Sequence, residues 1–205
     1  LGASNAWAFD VQLRCGTTIM AMKVAKSLML ADDTIHTVLL AGGYRNCDFI
    51  DYQNEKTRFM FNLAAGGGAI ILQKNCNENS VLEADILTDG SFSEDVVVPV
   101  GGTKNPLTPE LLAQGAYRLD VLDPKGMKVR LEEKSLNNFI KVIRSSLAKS
   151  GYSEQDIAYI AVLHMKKSAH DYVLKTLGLS SEQSIYLEHY GHIGQIDQIL
   201  SLQLA

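Results

Sequence analysis

The chain has 205 residues, enough for one domain or one and a half and for a substantial core. Apolar residues make up 46% and charged residues 20%, and the net charge is −4 at pH 7, which argues against nucleic acid or an acidic membrane as partner of the whole molecule. No apolar run reaches the roughly 18 residues of a membrane span, and the first residues lack the basic start of a secretory signal. Three irregularly spaced cysteines, Cys15, Cys47 and Cys76, predict a reducing, cytoplasmic setting and no disulfide framework.

Taken in chain order, "WAFDVQ" (7–12) is short and β-rich and predicts a strand. From 15 to about 31 apolar residues fall on every side, which predicts a helix buried all round. "HTVLLAGG" (36–43) reads as an interior strand covered on both faces, and 44–58 as a loop. "LAAGGGAIILQ" (63–73) predicts another strand, with "VLEADILTDG" (81–90) as the strand pairing with it. Residues 91–134 hold all four prolines and read as a long surface excursion. A helix is expected from Ser135, with Leu136, Phe139, Ile140, Ile143 and Leu147 on one face and Gly151 as its stop. "IAYIAVL" (157–163) predicts a buried strand, 167–178 a helix, "SIYLE" (184–188) a short strand, and 192–205 a last helix. Strands alternating with helices give an α/β layered fold. The chain starts at Leu1 and its last helix has no cap, so it reads as a piece of a longer polypeptide.

Cys15 sits where a strand hands over to a helix. A thiol there feels the positive end of the helix dipole and free backbone N–H groups, and thiols so placed titrate at about 3.5–7.5 instead of about 8.5. The alternative is a small buried hydrophobe. Cys47 and Cys76 have no helix to activate them. Four of the five histidines come late, at His164, His170, His189 and His192. His164 follows a strand end, where α/β folds present catalytic groups, and His192 follows Tyr190-Gly191 at the start of the last helix. His189 and His192 straddle a glycine without a CxxC pair or a carboxylate cluster, so no metal site is expected. A strand, not a helix, follows Gly66–Gly68, so close backbone packing is a better reading of those glycines than phosphate binding. Lys166 and Lys167, with Lys141, Arg144 and Lys149, could form a basic surface for an acidic partner.

Four segments resemble one family. "FDVQLRCGTTIMAM" resembles the active-site segment of the β-ketoacyl-acyl-carrier-protein synthase III family in the thiolase-like superfamily. "LAAGGGAIIL" resembles its Gly-Asp-Gly-Ala-Gly-Ala-type strand. "VLHMKKSAHDYVLKTLG" resembles the segment starting Pro-His-Gln-Ala-Asn, and "YLEHYGHIGQID" the one ending Tyr-Gly-Asn. His192 stands where the family usually carries asparagine, Leu163–Lys166 departs from Pro-His-Gln-Ala, and 91–134 is longer than expected, which marks a divergent member.

The resemblance implies a thiolase-like layered α-β-α fold of mixed sheets covered by helices, with 1–90 the end of its first half and 91–205 a truncated second half. It implies Cys15 as nucleophile, and His164 and His192 as neutral N–H donors. The Cys15 backbone N–H should form half of an oxyanion hole. The reaction implied is decarboxylative condensation of a Cys-bound acyl group with a malonyl-type thioester. Coenzyme A or acyl-carrier-protein thioesters would be the substrates, Lys166 and Lys167 would help dock the carrier, no cofactor is needed, and a homodimer is expected. Two rivals remain: acyl transfer to an alcohol or amine, and a non-catalytic subunit of the same fold.

Overall fold

The computed structural model describes residues 2–205. Its ordered sheet comes from the two glycine-containing apolar runs. Strands β1 (Thr37–Tyr44) and β2 (Gly66–Gln73) pair antiparallel, from Thr37 opposite Gln73 to Tyr44 opposite Gly66. Glycines therefore crowd one end of the ladder, and the last part of the chain packs there. A Cβ on Gly66 would lie 2.8 Å from Ile193 Cγ2, and one on Gly68 would lie 3.2–3.3 Å from Ile199 and Ile196. The triple glycine thus serves close approach of another segment to the sheet.

A 3₁₀ turn, Arg14–Gly16, leads into helix α1 (Thr17–Ala31). Only Thr18, Ala25 and Met29 of α1 are buried, while Ile19 and Leu30 are 41% and 73% exposed. The expectation of a helix buried all round fails: its other residues are half-buried or exposed, and along one side Lys23 and Lys26 reach the carbonyls of Ala84 and Leu82. β1 departs likewise, with Leu39 at 48%, so it is not covered on both faces. The accessible surface is 13451 Å². A compact 22.5 kDa monomer should expose about 9,500 Å². Much apolar surface therefore lies open.

Residues 91–123 wander as expected, with a short helix α2 (Pro109–Ala113) and an isolated bridge between Val97 and Asp120. Helix α3 (Pro124–Lys149) begins at Pro124, well before Ser135. Asp123 caps it, accepting the Gly126 N–H at 3.0 Å, and proline at the first helical position gives up no bond. The added turns carry Arg130 and Lys134, which pair with Asp95 and Asp89 and pin the excursion to the helix. Gly151, at φ +78°, follows its end. Ile50, Met60, Leu119, Val121 and Met127 form one core beneath the excursion. Ile140 of α3 packs on Val173 and Leu177 at helix α4 (Lys167–Thr176) in a second. The chain closes with a 3₁₀ turn, Gly194–Ile196, and helix α5 (Asp197–Leu204).

Four expected strands are not strands among the described residues, since a strand needs a hydrogen-bonded neighbour. Residues 7–12 have no backbone partner; there Trp7 stacks on Phe9 with ring centroids 5.6 Å apart. Residues 81–90 do not pair with β2, which takes β1 instead. Side chains at the end of α3 and just after it hold that segment: the Glu83 and Asp85 N–H groups donate to Ser150 Oγ and Ser146 Oγ at 3.1 and 2.9 Å. Residues 157–163 meet Gln183 through the Ile160 N–H to Gln183 carbonyl bond (2.8 Å) and 184–188 through the Ser184 hydroxyl to Ile160 carbonyl bond (2.8 Å), too few for a ladder.

Candidate active site

Cys15 lies in the turn that starts α1. Its neighbour Arg14 has φ +49°, a left-handed conformation costly for a side-chain-bearing residue. Thr17 holds the turn, its Oγ1 accepting the Leu13 N–H at 2.8 Å and donating to the Arg14 carbonyl at 2.7 Å. One residue on, the Thr18 hydroxyl donates to the Gln195 carbonyl at 2.6 Å. The Gln195 side-chain amide donates to the Gly43 carbonyl at 2.9 Å. The start of α1, the end of β1 and the turn before α5 are thereby locked together.

His192 reaches the same place through its backbone. Its N–H donates to the Asn62 carbonyl at 2.8 Å, and its carbonyl accepts the Ala64 N–H at 2.9 Å, a parallel bridge centred on Leu63. Such proximity needs Gly191, at φ +68°, where a Cβ would lie 2.5 Å from the Asn62 oxygen.

The ring of His192 then bridges a thiol and a carboxylate. Nε2 is 3.0 Å from Cys15 Sγ, and Nδ1 is 2.5 Å from Asp197 Oδ2. Asp197 is fully buried and accepts two further bonds, from the Ile193 and His164 backbone N–H groups, each at 2.7 Å. Burial alone would push the His192 imidazole down. The hydrogen bonds to Asp197 and Cys15, with the negative charge on both, outweigh it and push His192 up to about 9. Burial pushes His164 down, assisted by the like charge of His192 and opposed by Asp197. At pH 7 the charge therefore sits on His192 and not on His164. The expectation of two neutral donors does not extend to His192, whose ring the Asp197 carboxylate keeps protonated.

His164 arrives beside this line through its backbone bond to Asp197, and its side chain makes no hydrogen bond among the described residues. Its ring lies against Tyr186, centroids 5.1 Å apart, and buried His170 meets Tyr186 edge-on at 5.4 Å. The Tyr186 hydroxyl donates to the Met165 carbonyl at 3.1 Å.

The other candidates stand apart. The His189 side chain is 86% exposed beside Glu188, and Cys76 is exposed. Lys166 stands just before α4 with no side-chain capping bond, and Lys167 pairs with Asp171 above the Tyr186 ring. Arg144 and Lys149 are paired with Glu154 and Asp85. No group of three His, Cys, Asp or Glu among the described residues could hold a metal ion. No helix among them is long and apolar enough to cross a membrane.

Two family profiles fit this chain on either side of the excursion. One, described as 3-Oxoacyl-[acyl-carrier-protein (ACP)] synthase III, matches residues 9–90, and its C-terminal counterpart matches 147–205. The chain belongs to the 3-oxoacyl-[acyl-carrier-protein] synthase III family. Curated β-ketoacyl-[acyl-carrier-protein] synthases III are similar to it. That of Aliarcobacter butzleri is 28% identical over 94% of this chain and 56% of its own length. That of Syntrophomonas wolfei is 29% identical over 100% and 60%. The crystal structure of the Aquifex aeolicus 3-oxoacyl-[acyl-carrier-protein] synthase III superposes with a TM-score of 0.78 at 17% identity, over 99% of this chain and 59% of that one. The chain thus carries the thiolase-like fold of synthase III enzymes and spans a little over half the length of these relatives.

Sequence reasoning missed two residues of this candidate site in the synthase III family member. Asp197 gave one signal, as the only charged residue of 193–205, five positions after His192. Tyr44 gave none. Its ring centroid lies 6.0 Å from that of His192, and burial, with the charge on Cys15, pushes its phenol up to about 12, so it stays neutral.

Proposed function

We propose that this chain carries the nucleophile and both imidazoles of a condensing acyltransferase of the synthase III type. The observation that carries the reading is the 3.0 Å contact between Cys15 Sγ and His192 Nε2 at the start of a helix. A protonated imidazole at that distance favours the thiolate, which attacks an acyl thioester and stores the acyl group covalently. Splitting the condensation this way replaces one hard step by two easier ones. A malonyl-type thioester then loses carbon dioxide, and the resulting enolate attacks the acyl-Cys15 carbonyl. Negative charge develops on the malonyl thioester oxygen, where an N–H of neutral His164 and the Nε2–H of His192 can meet it. The Cys15 backbone N–H serves the acyl oxygen.

Donor and extender ride on coenzyme A or acyl carrier protein, with Lys166 and Lys167 as carrier contacts, no cofactor, and a homodimer as the working form. The test is product analysis by mass spectrometry after incubating the full-length protein with an acyl-coenzyme A panel and malonyl-carrier protein. Formation of a 3-oxoacyl thioester, lost in Cys15→Ala, is expected. A folded protein that loads acyl groups but never yields a 3-oxoacyl product contradicts the reading.

A further inference from the structure

Condensation uses His192 to activate the thiol and to donate an N–H, but asks nothing of it as a base toward the acceptor. Its enolate arises when a carbon–carbon bond breaks, so no group has to remove a proton from the acceptor. Yet Cys15, His192 and Asp197 are lined up as a base relay: sulfur 3.0 Å from Nε2, Nδ1 2.5 Å from a carboxylate oxygen, and that carboxylate wholly buried and fixed by two backbone N–H groups. This is the arrangement in which an oriented imidazole takes a proton from a hydroxyl during acyl transfer.

We propose that Asp197 is the positioning residue of a Cys15–His192–Asp197 relay that hands the Cys15-bound acyl group to a hydroxyl, of an alcohol or of water. This rests on acyl-Cys15 forming as proposed above. The hydroxyl oxygen attacks the thioester carbonyl carbon while its proton passes to His192 Nε2. The carbon–sulfur bond then breaks, Sγ leaves with the electron pair and receives the proton back from Nε2, and an ester or a free acid departs. A hydroxyl is the acceptor class that needs such help, since it is a poor nucleophile while it keeps its proton, whereas a neutral amine attacks unaided.

The groups facing His192 make the base available at the right moment. They are Cys15 from the turn before α1, Asp197 from α5, Tyr44 from β1, and His164 ahead of α4. Tyr44 is a neutral phenol and His164 a neutral imidazole. Two of the influences that hold the proton on His192 come from Cys15, its hydrogen bond and its charge. Both vanish when Cys15 becomes a thioester. Acylation therefore lowers the His192 proton affinity, and Asp197 keeps the ring pointed at the reacting carbon.

The experiment loads full-length protein with butyryl-coenzyme A, removes excess donor, and follows butyryl-Cys15 by intact mass without any malonyl thioester. Samples run from pH 6 to 9, in buffer alone and with 1-propanol. We expect loss of the butyryl group within minutes, faster as pH rises and levelling before about 9, the value His192 has before acylation. Butyric acid should form in buffer and propyl butyrate in the alcohol. In Asp197→Asn, with its fold checked by thermal melting, butyryl-Cys15 should form more slowly, because His192 loses the carboxylate that keeps it charged, and once formed should decay at least tenfold more slowly. Should that variant not fold, the wild-type pH profile decides. Butyryl-Cys15 that condenses with malonyl thioester yet is stable for hours without it, or that decays at a pH-independent rate, overturns this inference alone. Failure to form butyryl-Cys15 at all overturns the proposed function as well.

Discussion

Replacing His192 by asparagine removes a charge but keeps an N–H donor at the position, and the cost follows from the geometry. The imidazolium donates to Sγ across 3.0 Å, at a site where its side chain is 12% exposed. A hydrogen bond to a charged group is worth about 1.5–3 kcal/mol. The asparagine N–H keeps about 0.5–1.5 kcal/mol of that, and with about 1.36 kcal/mol per factor of ten, His192→Asn should slow alkylation of Cys15 at pH 7 about 5- to 10-fold. The assay is iodoacetamide labelling read by peptide mass, with exposed Cys76 as internal reference in the same tube. A ratio of Cys15 to Cys76 rates equal to that of wild type would refute the claim that His192 activates the thiol. Histidine-labelled NMR supplies the companion measurement. The His192 ring should titrate near 9, and His164 below its ordinary 6.5. A His192 that is neutral at pH 7 would contradict the same reasoning. Condensation by His192→Asn should remain measurable with altered donor preference, and complete inactivity in a folded variant would count against equivalence with the family's asparagine.

Other outcomes follow from packing and charge. Gly66→Val places a Cβ 2.8 Å from Ile193 Cγ2 and should cost about 1–3 kcal/mol in urea unfolding. Gly43→Ala, whose Cβ finds nothing closer than 3.9 Å, should cost much less, and equal losses would argue against close approach as the glycines' role. Asp123→Ala removes the α3 cap and should lower stability by about 1 kcal/mol, seen as a shift of the denaturation midpoint. Burial pushes His170 down, with Lys167 assisting, so below pH 6.5 the unfolded chain binds a proton that the folded chain refuses. Stability from this group is complete above 6.5 and declines as pH falls through the folded value. His170→Phe should flatten that decline, and an unchanged pH slope would assign it elsewhere.

Much of the architecture was legible because it was local. The helix after Cys15, the strand that carries Gly42 and Gly43, and the helices stopped by Gly151 and Gly178 each carry their own signal in periodicity and caps. Strands were over-read where an apolar run needed a partner that the pattern alone does not supply, as at 81–90 and 157–163. The early start of α3 was readable from Asp123-Pro124 but was masked by the prolines around it. For the site, Cys15 and His192 stood at turns whose exposure could be anticipated, whereas their contact joins residues 177 positions apart. Asp197 was harder to see, because a carboxylate in the first turn of a helix ordinarily faces solvent. Only the folded backbone, through the Ile193 and His164 N–H groups, turns it inward.

The most direct measurement is the intact mass of full-length protein after brief exposure to an acyl-coenzyme A thioester, followed by peptide mapping. The geometry around the sulfur predicts one added acyl group per chain, carried by Cys15 and absent in Cys15→Ala. An acyl adduct retained in Cys15→Ala, or an unmodified Cys15 in a folded protein given a range of acyl thioesters, would contradict it.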